Sequence, residues 1–144
     1  MACKFLLHVK GVQKYRGQEP DTIELTTEAD LTGEDGVLYL RYAESELTGL
    51  KGTDTIFELH KDKVVLRRVG AVRSEMVFVT GQIHQSLYNT EEGALLITIR
   101  TVAIEDEMTL SGGSLHVSYG ITVEGLGSGT IDYWLEVRPK RPEK

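Results

Sequence analysis

The residues that most often carry catalysis or bind metals are few in this chain, and they do not cluster. The four histidines, His8, His60, His84 and His116, form no His-x-His or His-x-x-His pair. A metal site needs ligands that converge in space, and strands can bring distant residues together, so spacing alone does not forbid one. The single cysteine, Cys3, has no identifiable base or cation to activate it. We predict no catalytic residue, no metal and no cofactor.

A glycine motif near the C-terminus has the residue types of a phosphate-binding loop. Gly125, Gly127 and Gly129 alternate with other residues, and glycines let backbone amides approach an anion. Such a loop needs a helix after it, whereas here a strand-like run follows. The pattern therefore favours a hairpin turn.

Arg67, Arg68 and Arg73 are the strongest internal concentration of positive charge. Neighbouring residues of a strand point to opposite faces, so Arg67 or Arg68 points inward, where a guanidinium needs a partner. Glu44 and Glu58 are candidate partners on nearby runs. Two interpretations stay open: an interior salt bridge, which we favour, and an anion-binding site.

The polar side chains around Arg68 form our candidate site. Arg68, Tyr42, Glu44, Tyr88 and Thr90 would make a polar floor beneath apolar walls, which is how ligand pockets are built. The predicted ligand-binding residues are Tyr42, Glu44, Arg68, Phe78, Tyr88 and Thr90.

Strands must position these residues, because apolar and polar residues alternate with a period of two along most of the chain. Phe5, Leu7 and Val9 share one face of the first run, for example. The residues that separate the runs include turn formers such as glycine, proline, aspartate and serine. The predicted strands cover 5–15, 22–31, 37–44, 53–60, 64–72, 76–80, 83–90, 94–104, 115–123 and 131–137.

About eight to ten short antiparallel strands without a crossover helix favour a sandwich or a barrel. The even, hairpin-length connections favour an up-and-down order over a Greek key. We predict an all-β fold, a closed or nearly closed antiparallel up-and-down β-barrel over residues 1–138. Pro139 and Pro142 cannot continue a hydrogen-bonded ladder, so residues 139–144 are predicted to be a flexible tail.

Composition excludes several classes of protein. The 144 residues suit one domain. A net charge of −6 argues against nucleic acid as a partner. One cysteine excludes an internal disulfide and suits the cytoplasm. The apolar runs are far shorter than the roughly 20 residues of a membrane-spanning helix, and no signal peptide is evident, so we expect a soluble protein.

Short segments spread over nearly the whole chain resemble a known family. They are 7–10 (LHVK), 39–44 (YLRYAE), 52–55 (GTDT), 68–72 (RVGAV), 76–81 (MVFVTG), 88–90 (YNT) and 93–95 (GAL). In their order and spacing they resemble the YwiB-like β-barrel family of small bacterial proteins. The resemblance implies a calycin-like, lipocalin-like barrel, and the family has no assigned activity.

Three hypotheses of function follow. The first is a non-enzymatic binder of a small ligand in the barrel interior. The alternative is a structural or protein-interaction module with a filled core. The protein could also form a homodimer. The third hypothesis, an enzyme that uses Arg68 and Glu44, ranks last. An interior cavity above about 300 Å³ favours binding, whereas an interior at protein packing density favours the structural role.

Overall fold

The computed structural model describes residues 5–45 and 50–140, which form ten β-strands. They are β1 (Phe5–Tyr15), β2 (Asp21–Glu34), β3 (Val37–Ala43), β4 (Thr53–Leu59), β5 (Val64–Gly70), β6 (Ser74–Phe78), β7 (Ile83–Thr90), β8 (Gly93–Asp106), β9 (Gly113–Val123) and β10 (Gly127–Pro139). Within these two ranges, no helix is long and apolar enough to cross a membrane.

The strands form one antiparallel sheet that curls into a nearly closed up-and-down barrel. The order in the sheet is β6-β5-β4-β3-β2-β1-β10-β9-β8-β7, so chain neighbours pair throughout and β1 also pairs with β10. The two edge strands, β6 and β7, meet at a bridge between Arg73 and Asn89, whose N–O distances are 2.9 and 2.8 Å. The predicted fold class is confirmed.

The long strand β2 links the two halves of the barrel. Its residues 21–29 pair with β1, and residues 30–34 pair with β3. The connection from β2 to β3 is a two-residue turn, Asp35-Gly36, in which both residues have positive φ. This is the geometry of a type I′ turn, which Asp-Gly favours because its twist matches that of the strands.

Alternation along each strand sends one face inward. In β4, for example, Thr53, Thr55, Phe57 and Leu59 are buried and the residues between them are partly exposed. The barrel is filled with side chains at the end where β1 begins, and we call this the packed end. Its buried residues include Leu7, Ala29, Leu40, Phe57, Leu66, Phe78, Leu115, Val117 and Leu135.

The C-terminal boundary differs from the prediction. Pro139, which we placed in the tail, is the last residue of β10 and lies opposite Phe5. Proline is tolerated there because the end of a strand does not require its missing N–H. Lys140 then forms an ion pair with Glu28. Residues 141–144 of the predicted tail lie outside the described residues.

Candidate ligand-binding cavity

A cavity occupies the end of the barrel where β1 ends, which we call the cavity end. Its volume is about 280 Å³, just under the roughly 300 Å³ at which small-molecule pockets begin. The volume matches roughly nine water molecules at about 30 Å³ each. Apolar side chains from β1, β2, β8, β9 and β10 make most of its walls, among them Val9, Leu25, Ile97, Ile121 and Ile131.

Arg68 on β5 is the buried cation of this cavity. Only 9% of the residue is exposed, because it lies on the inward face opposite Thr55 of β4 and Ser74 of β6. Its Nη2 donates a hydrogen bond of 3.3 Å to the hydroxyl of Tyr133. Its Nε is buried and has no acceptor within the described part of the chain.

The expected interior salt bridge is absent from residues 5–45 and 50–140. No carboxylate oxygen of those residues lies within 4.0 Å of the Arg68 guanidinium. Glu44 is buried and also lines the cavity, but its carboxylate accepts hydrogen bonds from the Thr55 and Tyr42 hydroxyls. Among the described residues, the partner of this buried positive charge is the phenol of Tyr133.

Four tyrosines surround this charge. Burial raises the pKa of Tyr42, Tyr119 and Tyr88 above the ordinary value of a phenol, most strongly for the first two. These side chains therefore present neutral hydroxyl groups. Burial alone lowers the pKa of Arg68, but the tyrosines, Tyr133 foremost, outweigh it and the pKa lies above its ordinary value. Arg68 is therefore positively charged at neutral pH.

The structure brings together four of the six predicted site residues. Tyr42, Glu44, Arg68 and Tyr88 line the cavity, whereas Phe78 and Thr90 do not. Phe78 lies deeper and packs on Tyr119, with ring centroids 4.7 Å apart.

Thr90 instead belongs to the turn between β7 and β8. Its hydroxyl donates to the carbonyl of Gly93 and accepts from the amide of Glu92, both at 3.1 Å. These bonds explain its place outside the lining, because they hold the side chain at the strand end.

Sequence reasoning missed two tyrosines and a glycine. Tyr119 and Tyr133 are on the inward faces of β9 and β10. Gly11 lies opposite Tyr133 in the ladder, and a Cβ there would come 3.0 Å from Cε1 of that ring. Both tyrosines belong to runs of alternating residues, within 115–123 and 131–137. That pattern indicates which residues share a face, but not their depth in the barrel.

The other polar clusters lie on the outer surface. Arg67 forms ion pairs with Glu58 and Glu75 on the two neighbouring strands. Within residues 5–45 and 50–140, no group of three or more His, Cys, Asp or Glu side chains is arranged to hold a metal ion.

His116 belongs to one of these outer clusters. Its Nδ1 and Nε2 lie 2.8 Å from Glu105 and Asp132, and its ring stacks on Trp134. Burial lowers the pKa of His116, but the two carboxylates outweigh it and raise the pKa above the ordinary value.

Comparison with known proteins places this barrel in a family. The model of a domain of unknown function, DUF1934, matches residues 7–136. The chain belongs to the DUF1934 family. This DUF1934 protein is 29% identical over 131 residues to the uncharacterized β-barrel protein YwiB of Bacillus subtilis (strain 168), a match that covers 88% of this chain and 90% of YwiB.

The crystal structure of the Bacillus subtilis ywiB protein has the same fold. It superposes with a TM-score of 0.80 over 96% of this chain and 93% of that one, at 23% identity. The YwiB-like resemblance seen in the sequence is therefore confirmed. Since the family has no known function, the function of this DUF1934 protein must be argued from its cavity.

Proposed function

We propose that this protein binds a small molecule in the cavity end of its barrel without acting on it chemically. The supporting observation is the contrast between the two ends of one interior. The packed end is filled with side chains, whereas the cavity end encloses about 280 Å³. Mostly apolar walls with a few polar groups are typical of ligand pockets, and calycin-like barrels commonly work in this way.

An enzyme has less support from the geometry. General acid and base catalysis needs titratable groups within hydrogen-bond reach of each other and of a substrate. In the described part of the chain, Arg68 and Glu44 form no ion pair within 4.0 Å. Arg68 also keeps its proton, so it cannot act as a base.

The alternative function, a structural or protein-interaction module, requires a barrel that is filled throughout. The cavity of about 280 Å³ supports ligand binding over this alternative. The homodimer and the cytoplasmic location remain predictions. Light scattering on the purified protein tests whether it is a homodimer.

Native mass spectrometry of the freshly purified full chain tests the proposal. We expect a co-purified small molecule on the wild type and its loss in Ile131→Phe, because this side chain lines the cavity and a larger one occupies it. Thr130→Phe is the matched control, since Thr130 is exposed on the same strand. An equal mass excess in all three proteins, or none in the wild type, contradicts ligand binding in the cavity.

A further inference from the structure

The feature from which a ligand class can be argued is the charge of Arg68, which pairs with no carboxylate of residues 5–45 and 50–140. A guanidinium carries five N–H donors, and the described residues accept one hydrogen bond from it, at the Tyr133 hydroxyl. Burying a charge without a charged partner is costly. A cation held in this way inside a cavity is best explained by an anion that arrives with the ligand.

A second donor without a partner lies next to it. Ser74 is directly opposite Arg68 in the β5–β6 ladder, and its buried Oγ has no hydrogen-bond partner within the described residues. Side chains directly opposite each other in a ladder are neighbours on one face, with Cβ atoms about 4.5–5.5 Å apart. Ser74 does not line the cavity end, however; it lines a second, more open hollow beside β5, β6 and β7. Of these two donors, only Arg68 lines the cavity.

The charge of the anion follows from the balance of the cavity. Arg68 supplies one positive charge, while Glu44 is an acidic group already hydrogen-bonded to Thr55 and Tyr42. The nearby tyrosines are neutral donors. Because Glu44 already brings an acidic group into this mostly apolar space, a ligand with one negative charge is less costly to bury there than a phosphate dianion.

We propose that the ligand is a small organic monocarboxylate with an apolar body, whose carboxylate pairs with Arg68. This inference rests on the proposed function and names the ligand class of the same cavity. The volume of about 280 Å³ suits a molecule of roughly nine or ten non-hydrogen atoms, if each takes about the volume of a water molecule. Its apolar part lies against Ile97, Ile121 and Ile131.

Calorimetric titration with two matched pairs of probes tests this inference on the full chain. The pairs are benzoate with benzamide and octanoate with octanamide, which keep the shape and remove the charge. We expect at least one carboxylate to bind wild type about tenfold or more tightly than its amide, since charge-assisted hydrogen bonds are the stronger ones. Arg68→Met should reduce carboxylate affinity to that of the amide and leave the amide unchanged.

Two further variants serve as controls. Ser74→Ala removes a hydroxyl next to Arg68 that does not line the cavity, so it should leave the carboxylate affinity close to that of wild type. Arg41→Met removes an arginine from the outer face, where it pairs with Asp54, and should leave both affinities unchanged. If Arg68→Met fails to fold, the comparison of carboxylate with amide binding to wild type still tests whether the cavity prefers a carboxylate.

The outcomes separate the two proposals. Equal binding of carboxylate and amide to wild type, or carboxylate binding that Arg68→Met leaves unchanged, overturns the monocarboxylate inference and leaves the cavity as a ligand site. Failure of all four probes to bind at millimolar concentration overturns the inference, and absence of a co-purified molecule in native mass spectrometry then removes the proposed function as well.

Discussion

Replacing Arg68 with methionine should stabilise the ligand-free protein. Methionine keeps an unbranched stem of similar length and removes the charge together with the buried Nε–H that has no acceptor. A buried donor without a partner costs about 1–3 kcal/mol. The change also removes the 3.3 Å hydrogen bond to Tyr133, which is worth about 0.5–1.5 kcal/mol.

With the middle of each range, about 2 kcal/mol gained and about 1 kcal/mol lost, the free energy of unfolding rises by about 1 kcal/mol. For a chain of this length, about 1 kcal/mol moves Tm by roughly 3–4 °C, so we expect Arg68→Met to melt about 3–4 °C above wild type. Differential scanning calorimetry measures this shift, on protein freed of ligand by refolding. Arg68→Lys keeps the charge and should show no gain.

A decrease in the free energy of unfolding of Arg68→Met would contradict this prediction. Removing one partner of a buried ion pair costs about 3–5 kcal/mol. A loss of stability of that size in Arg68→Met would mean that the chain itself supplies a carboxylate to Arg68. The anion expected from a ligand would then be unnecessary.

Three further predictions concern the rest of the barrel. His116 has a raised pKa in the fold, so the stability that it contributes is present below about pH 6.5 and is lost as pH rises through the raised value. The Tm advantage of wild type over His116→Gln should therefore be larger at about pH 6 than at about pH 8.5, and an equal difference at both would contradict this. Gly11→Ala places a Cβ 3.0 Å from the Tyr133 ring, so it should shift that ring into the cavity and weaken ligand binding in the same titration; unchanged affinity would show that the ring has room elsewhere. Gly129→Ala should destabilise the protein far more than Gly36→Ala in urea unfolding, because a Cβ at position 129 would lie 2.4 Å from a backbone oxygen. At Gly36 only the positive φ is unfavourable for alanine, at about 1 kcal/mol. Comparable losses of stability in the two variants would contradict the close approach of β1 and β10.

The sequence predicted the strands well because their alternation is local. The run 83–90 matches β7 at both ends, and the turn residues Asp35 and Gly36 separate β2 from β3 where expected. The order of the strands followed from short connections, which leave a meander as the simple arrangement. The predicted ends of the strands were less accurate than their order. For example, β10 extends to Pro139.

The site was predicted only in part, because a period of two gives the face of a residue and not its depth. Phe78 and Arg68 both point inward, but Phe78 lies towards the packed end while Arg68 lines the cavity. Depth depends on the stagger between strands, which the pattern of a single strand does not contain.

The sequence also did not show which of Arg67 and Arg68 points into the barrel. Three consecutive apolar residues, 64–66, precede this pair and are all buried, so the local pattern does not say which face is inward. The pairing with β4 and β6 decides it, since it places Arg67 beside Glu58 and Glu75 on the outer surface.

A crystal structure of the protein grown with octanoate would show directly whether the cavity end binds a carboxylate. We expect the carboxylate there, with an oxygen about 2.7–2.9 Å from the Arg68 guanidinium and the alkyl chain against the apolar walls. A cavity closed by the protein's own side chains, with Arg68 paired to one of its carboxylates, would contradict this expectation.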